Sequence, residues 1–528
     1  MGFLSALLRR PLVCALLTGA LLILSFPRPH LYLLAWVALA PLLAVSLPRR
    51  SRRRVFAYGY LAGVVFFGGT CYWVYGVMRI YGRLSVGAAG AVLVLFVLIL
   101  ALQFGLFSLM VREVAQRWPL AALMVSPCFW VALEWLRTYV PFGGFPWNLL
   151  GYALAPQVGW IQPAAYTGIY GVSFLVVGVN ALVAAYWIAP AWRRLTLLAA
   201  VAVILAGIAF WGHRLPPVAP TRQAVLVQTN LPQLEEFDPR WVDRHPDEMA
   251  RLEQLTREGA RRQKAGPPDL IIWPEIPVSL YFRQDPRLRA RLLQLTQATG
   301  SHFLVGIVDF QPGEGEEQHP TNSAVLLSPQ SGFVGQYDKI HLVPFGEYVP
   351  LGRWLGWLGS LTQEVSDFVP GSDQQVLPAG AQRLGVLICY EAIFPGLTRS
   401  YIEGGADVLV NISNDGWFGR SAAPAQHLNM ARVRAVEARR FLLRATNTGI
   451  TAVVDPLGRI VARAPSHQRT VLVAGYAPRR EVTFYARHGD WLAALCALLG
   501  LAALARKFWM EATEVTGNGD DRGTGTTV

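Results

Sequence analysis

Three side chains in this sequence could together attack a carbonyl: the thiol of Cys389, the carboxylate of Glu275 and the ammonium of Lys339. A thiol is only a few per cent ionised near neutral pH. A carboxylate that takes its proton and a cation that favours the resulting anion therefore both help it attack. Cys389 ends the apolar run Gly385–Cys389 and is followed by Tyr390, Glu391 and Pro395, where a first helical turn is expected. A sulfur on such a strand-to-helix elbow faces the positive end of the helix, which predicts a pKa below the usual value of about 8.5. Glu275 follows a second apolar run in Trp273-Pro274-Glu275, at a strand's carboxyl end, where α/β folds collect their active groups. Lys339, in Tyr337-Asp338-Lys339, precedes the mostly apolar stretch His341–Phe345. Taken singly, each has a plain structural reading as an inert buried thiol, a turn cap and a solvated lysine.

The elements that must position these groups read as α/β. Strands are expected at Ala224–Gln228, Leu270–Trp273, Phe303–Val308, Ser323–Leu327, Gly385–Cys389, Val408–Ile412, Thr451–Val454 and Val471–Ala474. Helical patterns intervene at Asp247–Gln263, Pro286–Thr299 and Ala425–Phe441, so the sheets should be covered by helices. There is no internal repeat.

The rest of the chain belongs to a different solvent. With 53% hydrophobic and only 15% charged residues among 528, the protein is too apolar to be wholly soluble. Spans are expected at Pro11–Phe26, Leu31–Leu47, Val55–Val77, Val86–Val111, Leu120–Leu136, Ile169–Pro190, Leu195–Trp211 and Trp491–Ala505, eight in all. Arg9 and Arg10 before the first span resemble a signal peptide, but no small-residue cleavage pattern follows, which favours a retained anchor. The net charge of +13 does not point to nucleic acid, because the basic residues sit in short clusters between apolar runs. Arg9 with Arg10, the cluster Arg49 to Arg54, Arg112 with Arg117, and Arg193 with Arg194 occupy alternate gaps, which the positive-inside rule assigns to the cytoplasm. The expected organisation is a seven-helix transmembrane bundle over 1–211, a periplasmic domain over 212–490, an eighth helix over 491–507 and a disordered cytoplasmic tail over 508–528. Both termini are then cytoplasmic. Cys14, Cys71, Cys128 and Cys496 lie in apolar stretches, and there is no CxxC or Cys/His metal spacing, so neither a metal nor an organic cofactor is implied.

Trp-Pro-Glu, Tyr-x-Lys and Cys-Tyr-Glu, in that order on successive strand ends, resemble the nitrilase superfamily over roughly residues 224–477. That resemblance implies an αββα sandwich with Glu275 as general base, Lys339 supporting the oxyanion and Cys389 as the acylated nucleophile. The Tyr390 backbone N–H is then the partner donor to the oxyanion. The membrane half, the motifs Leu342-Val343-Pro344-Phe345-Gly346-Glu347-Tyr348-Val349-Pro350 and Asn414-Asp415-Gly416-Trp417-Phe418-Gly419, together with Glu134-Trp135-Leu136-Arg137 and Phe145-Pro146-Trp147, resemble the apolipoprotein N-acyltransferase family over nearly the whole chain. This implies transfer of an acyl chain from a phospholipid donor to the α-amino group of the diacylglyceryl cysteine of an apolipoprotein, in the bacterial inner membrane. It also implies supporting or substrate-binding roles for Glu347, Tyr390, Glu391, Trp417, Arg137 and Trp147. One departure is visible. Where the family tends to carry Trp after Pro-Gln, this chain has Pro232-Gln233, then Phe237, with Trp241 further on, so an aromatic ring is kept without the indole N–H.

The lipid reading also has physical support. Extracting a 16-carbon chain from hydrocarbon costs about 0.8 kcal/mol per methylene, on the order of 10 kcal/mol, and a site at the bilayer surface avoids most of it. The apolar segment Leu351–Gly359 carries Trp354 and Trp357 at helical spacing and reads either as an arm entering the interface or as a helix packed on its own domain. Glu134 and Arg137, one turn apart in the fifth span, read as a pair joining helices, with a phospholipid headgroup as the alternative partner of Arg137. A membrane-anchored amidase, in which water resolves the acyl enzyme, has the same three residues. A transporter fits less well, since the spans carry almost no midplane charge and no evident inverted repeat.

Overall fold

The computed structural model describes residues 10–141, 143–188, 191–232, 240–263, 266–277, 280–312, 318–344, 346–348 and 368–520. Phe237 and the arm bearing Trp354 and Trp357 lie outside these residues.

The amino-terminal half is helical: α1 (Pro11–Ser25), α2 (Ala40–Ser46), α3 (Arg52–Thr70), α4 (Trp73–Ile80), α5 (Val86–Ala115), α6 (Pro119–Tyr139), α7 (Ala164–Ile188) and α8 (Ala191–Arg214). Length and composition qualify four helices to cross a membrane, namely α5, α6, α7 and the last helix, and a fifth crossing if the bent pair α3–α4 counts as one. This corrects the expected eight. The first expected span is a helix of only 15 residues. The second is broken into a 3-10 turn, Tyr32–Trp36, and the short α2. At the break Asn180, from α7, accepts from the Leu39 and Ala40 amides at 2.7 and 3.0 Å, satisfying donors that a helix start leaves open. The third span bends by 54° between α3 and α4. Among the described residues of α8, only Ala199–Arg214 counts as apolar helix.

Within α7 the backbone is non-helical at Gly168, whose φ of +64° suits glycine, and a Cβ there would meet the Tyr485 ring at 2.5 Å. The helix restarts at Ile169, and its amide donates to Glu437 Oε1 at 2.8 Å, so a carboxylate from the other half of the chain caps it.

The second half contains two six-stranded sheets, ordered β12-β1-β2-β3-β4-β5 and β11-β10-β9-β8-β7-β6. Their strands are β1 (Arg222–Gln228), β2 (Leu270–Ile272), β3 (His302–Pro312), β4 (Gln318–Ser328), β5 (Gly332–Asp338), β6 (Val376–Ala379), β7 (Gln382–Ile388), β8 (Val408–Ser413), β9 (Leu442–Thr446), β10 (Ala452–Val454), β11 (Ile460–Arg463) and β12 (Thr470–Tyr476). The period of two explains the layering. In β1 to β4, Leu226, Ile272, Leu304 and Leu326 join the cluster shared with the second sheet, whereas Val225, Ile271, Phe303 and Val325 join the one under helices α9 (Pro246–Arg261) and α10 (Pro286–Thr299). Each such aliphatic or aromatic side chain contributes about 1.5–3 kcal/mol on burial. Helices α11 (Pro395–Glu403) and α12 (Ala423–Ala438) pack on the second sheet, completing an αββα sandwich. The last helix, α13 (Trp491–Asp520), runs beyond the expected end at Ala505, so the segment expected to be a disordered tail begins as helix.

Candidate active site

The central strands of each sheet run parallel, β1-β2-β3 in one and β7-β8-β9 in the other. Glu275 leaves β2, Cys389 leaves β7, and Asn414 leaves β8, all at carboxyl ends. Gly306 on β3 allows the Glu275 backbone to come close: a Cβ at Gly306 would lie 2.8 Å from Glu275 Cα. Lys339 follows β5, where its amide donates to the Asn322 carbonyl at 2.8 Å.

These groups converge in a nearly dry site, with Glu275, Lys339 and Cys389 only 5%, 1% and 6% exposed. The Lys339 ammonium donates to Glu347 Oε1 at 2.8 Å and to Glu275 Oε1 at 3.3 Å. Asn322 Nδ2 spans the same two carboxylates, 2.8 Å from each. The second oxygen of Glu275 accepts from the Asn414 amide at 2.7 Å, and that of Glu347 from the Val343 amide at 2.8 Å. Burial alone would push Lys339 down, but the Glu347 and Glu275 carboxylates outweigh it and hold the ammonium above its usual pKa.

Cys389 behaves differently from the expectation. Burial, reinforced by the Glu275 carboxylate, pushes its thiol up, with Lys339 and a hydrogen bond with Ser413 only partly opposing. No α-helix begins at the sulfur to oppose this. Cys389 opens a five-residue 3-10 turn, Cys389–Ile393, and the α-helix starts only at Pro395. Burial and the Glu275 carboxylate thus favour the neutral thiol, and attack by this sulfur requires that its proton be removed. Cys389 also has a φ of +51°, rare for a residue with a side chain, as befits a sharp elbow.

Glu391 brackets the elbow. Its Oε2 accepts from the Ile388 amide at 2.7 Å, and its Oε1 from the Tyr337 hydroxyl and the Ile340 amide at 2.7 and 2.8 Å, tying the Cys389 turn to the Lys339 segment. Burial raises its pKa to about 7.

The helical half supplies one wall. The Tyr390 hydroxyl donates to the Gly144 carbonyl at 3.2 Å. Trp147 Nε1 donates to Gln426 Oε1 at 2.8 Å, and its ring lies 5.6 Å from that of His427. Arg137 is neither at the sulfur nor hydrogen-bonded to Glu134: it donates to the carbonyls of Phe145 and Trp147, both at 2.8 Å, while Glu134 Oε1 accepts from the Leu150 amide at 2.6 Å. The two residues thus clamp the loop that touches Tyr390, in place of the expected direct pair. Trp417 packs edge-on against Tyr81, 4.7 Å between centroids, beside the site rather than in its hydrogen-bonded network. Trp241 stacks on His245 in the outer core. Asn322 and His427 escaped the sequence reading, each being a single polar residue with no motif of its own. Among the described residues no group of His, Cys, Asp and Glu could hold a metal.

Residues 18–182 match the family model described as the apolipoprotein N-acyltransferase N-terminal domain, and residues 227–480 match the carbon-nitrogen hydrolase model. Along 509 residues the chain is 38% identical to the apolipoprotein N-acyltransferase of Geobacter metallireducens, covering 95% of each chain. The chain belongs to the apolipoprotein N-acyltransferase family. It is 35% identical to the Methylococcus capsulatus apolipoprotein N-acyltransferase, covering 94% of this chain and 97% of that one. Among solved structures, Saccharomyces cerevisiae Nit3, of the nitrilase superfamily, aligns with a TM-score of 0.38 at 18% identity, covering 49% of this chain and 92% of that one. As an apolipoprotein N-acyltransferase family member the chain is an enzyme, and its apolar helices mark it as a membrane protein.

Proposed function

We propose that this enzyme moves a fatty acyl chain from a phospholipid to the α-amino group of the N-terminal diacylglyceryl cysteine of apolipoproteins, the last step of lipoprotein maturation. Two half-reactions share one thioester on Cys389. The observation that carries the reading is the buried cluster of Lys339 with Glu275 and Glu347, with Glu275 and Cys389 leaving the carboxyl ends of parallel strands in facing sheets. Glu275 takes the thiol proton as the sulfur attacks the ester carbonyl, Lys339 with the Tyr390 N–H stabilises the oxyanion, and lysophospholipid leaves as the alcohol with the proton that Glu275 returns. The lipoprotein amine then attacks the thioester, Glu275 receives a proton from it, and the amide forms as the Cys389 sulfur departs and takes that proton back. Glu347 and Asn322 hold Lys339 and Glu275 in register, and Glu391 holds the elbow.

The arginine clusters in alternate gaps support a location in the bacterial inner membrane, with the sandwich over 212–490 periplasmic and both termini cytoplasmic. In this arrangement Trp354 with Trp357 form an arm at the lipid interface. Phosphatase fusions after Trp211 should be active and fusions after Arg54 inactive; the reverse pattern overturns the orientation.

The decisive experiment gives the purified enzyme labelled phospholipid alone and reads the mass of Cys389. A hydroxylamine-labile acyl adduct that disappears on adding a diacylglyceryl-cysteine peptide, with acylated peptide formed, is expected. Turnover without any adduct defeats the covalent mechanism. Free fatty acid as the main product, with no acylated peptide, makes the enzyme a hydrolase.

A further inference from the structure

We propose that His427 is the positioning residue of the oxyanion site: its Nε2–H holds the Cys389–Tyr390 peptide group so that the Tyr390 N–H faces the developing oxyanion. This rests on the acyl-enzyme reading above and deepens it.

His427, on α12, is fully buried, and its Nε2 lies 3.0 Å from the Cys389 carbonyl oxygen. A carbonyl can only accept, so Nε2 carries the proton. Nδ1 lies 3.1 Å from Arg444 Nη2, a donor, and 3.2 Å from Asp415 Oδ1, an acceptor, and Nε2 donates to the carbonyl whichever of the two Nδ1 engages. The neutral Nε2–H ring meets the carbonyl and the guanidinium. Burial, with the Arg444 charge adding to it, holds the imidazole below its usual pKa and keeps this form. Behind the ring, Arg444 Nη2 donates to both oxygens of Asp415 at 2.8 Å, and the Ser413 hydroxyl donates to Asp415 Oδ1 at 3.0 Å. Arg444 and Asp415 are 0% and 1% exposed, so the support is rigid and dry.

The bond that His427 grips is one end of a peptide group, and the other end is the Tyr390 N–H. Tyr390 is the second residue of the 3-10 turn, and the first amides of a helical turn have no acceptor inside it. That N–H is free by position to meet an acyl oxygen beside the sulfur. The φ of +51° at Cys389 leaves this peptide plane in a sparsely populated orientation, so it needs an external hold. A hydrogen bond to the carbonyl fixes the plane and polarises the N–H at its far end.

Two reactions of the same sulfur separate this role from general support. Acylation by phospholipid passes through an oxyanion. Alkylation by iodoacetamide forms an S–C bond as a C–I bond breaks, releases the thiol proton, and makes no oxyanion. The wild-type adduct is measured first; if it is absent, the acyl-enzyme reading fails and this inference goes with it. With that adduct in hand, His427→Leu should acylate on the order of tenfold to a hundredfold more slowly, less than the ~10²–10³ lost with a direct donor. Its alkylation at Cys389, followed by peptide mass, should stay within about threefold of wild type, on the scale of that contrast. His427→Gln, whose amide can donate to the same carbonyl, should recover most of the acylation rate. Equal losses in both reactions, or no loss in acylation, overturn the proposal. If the leucine variant does not accumulate, His427→Gln against His427→Asn makes the same comparison, because only the longer amide reaches; equal acylation rates for those two overturn it.

Discussion

The amide of Asn414 donates to Glu275 Oε2 at 2.7 Å, so the end of β8 in one sheet aims the carboxylate that leaves β2 in the other. The candidate base belongs to neither sheet alone. Its placement depends on the sandwich being closed, and the first prediction follows from that.

Glu275→Gln removes the capacity to take a proton and, with its oxygen toward the Asn414 amide, sets an NH2 against the Lys339 and Asn322 donors. The melting temperature should fall, because a charge partner of the buried Lys339 is lost, and single-turnover acylation of Cys389 in the folded enzyme should fall by about 10²–10⁴. A variant that acylates normally and fails only in amine transfer would remove Glu275 from the first half-reaction.

Lys339→Met leaves Glu275 and Glu347 facing each other without the cation between them. Removing one partner from a buried ionic cluster costs about 3–5 kcal/mol, and the deficit here should shrink at low pH, where one carboxylate can protonate. Unfolding midpoints in detergent at pH 5.5 and 8 test this; a deficit independent of pH contradicts the pairing.

The Cys389 thiol is held above its usual pKa by burial, with Glu275 adding to it. Iodoacetamide should therefore alkylate Cys389 ever faster as pH rises through 9, with no plateau near the ordinary thiol value of about 8.5. A plateau at or below neutral pH would mean a resting thiolate.

Glu391 and Glu437 are both buried and raised by that burial from 4.5 to about 7. A carboxyl whose folded pKa exceeds its unfolded value binds more protons folded than unfolded between the two, so stability falls as pH rises from about 4.5 to about 7 and levels off above. Each group contributes up to ~1.4 kcal/mol per pH unit in that window. Glu391→Gln and Glu437→Gln should each flatten the decline, and unchanged slopes would show that other groups titrate there.

All eight strands expected from alternation and short apolar runs are present, but β5, β6, β9 and β11 were not read. In β9 the fully buried Arg444 sits mid-strand, and a charge there looks like the end of an apolar run until Asp415 is seen to neutralise it. Strand β5, Gly332–Asp338, is a partly exposed edge strand of mixed polarity. The strand ends that carry Glu275 and Cys389 are legible from a change of polarity, but only the resemblance carried by Trp-Pro-Glu, Tyr-x-Lys and Cys-Tyr-Glu joins those two residues and Lys339 into one set. Partnership was less legible than presence: a helix after Cys389 suggested a low pKa, while the opposing burial and the Glu275 charge depend on contacts 114 residues apart in sequence, from 275 to 389. Likewise the spacing of Glu134 and Arg137 predicts a direct pair, whereas their acceptors and donors are backbone groups of the following loop.

The single ammonium of Lys339 lies between two carboxylates. With both carboxylates ionised, the three groups sum to one negative charge at rest. In the proposed cycle Glu275 is neutralised as the sulfur, and then the acyl oxygen, becomes anionic, so the sum is the same at every stage. The surrounding dipoles are already oriented for one excess electron, and passing from resting enzyme through both tetrahedral intermediates asks only that the charge move a few ångströms, with no net arrival or departure for the dry protein around it to answer.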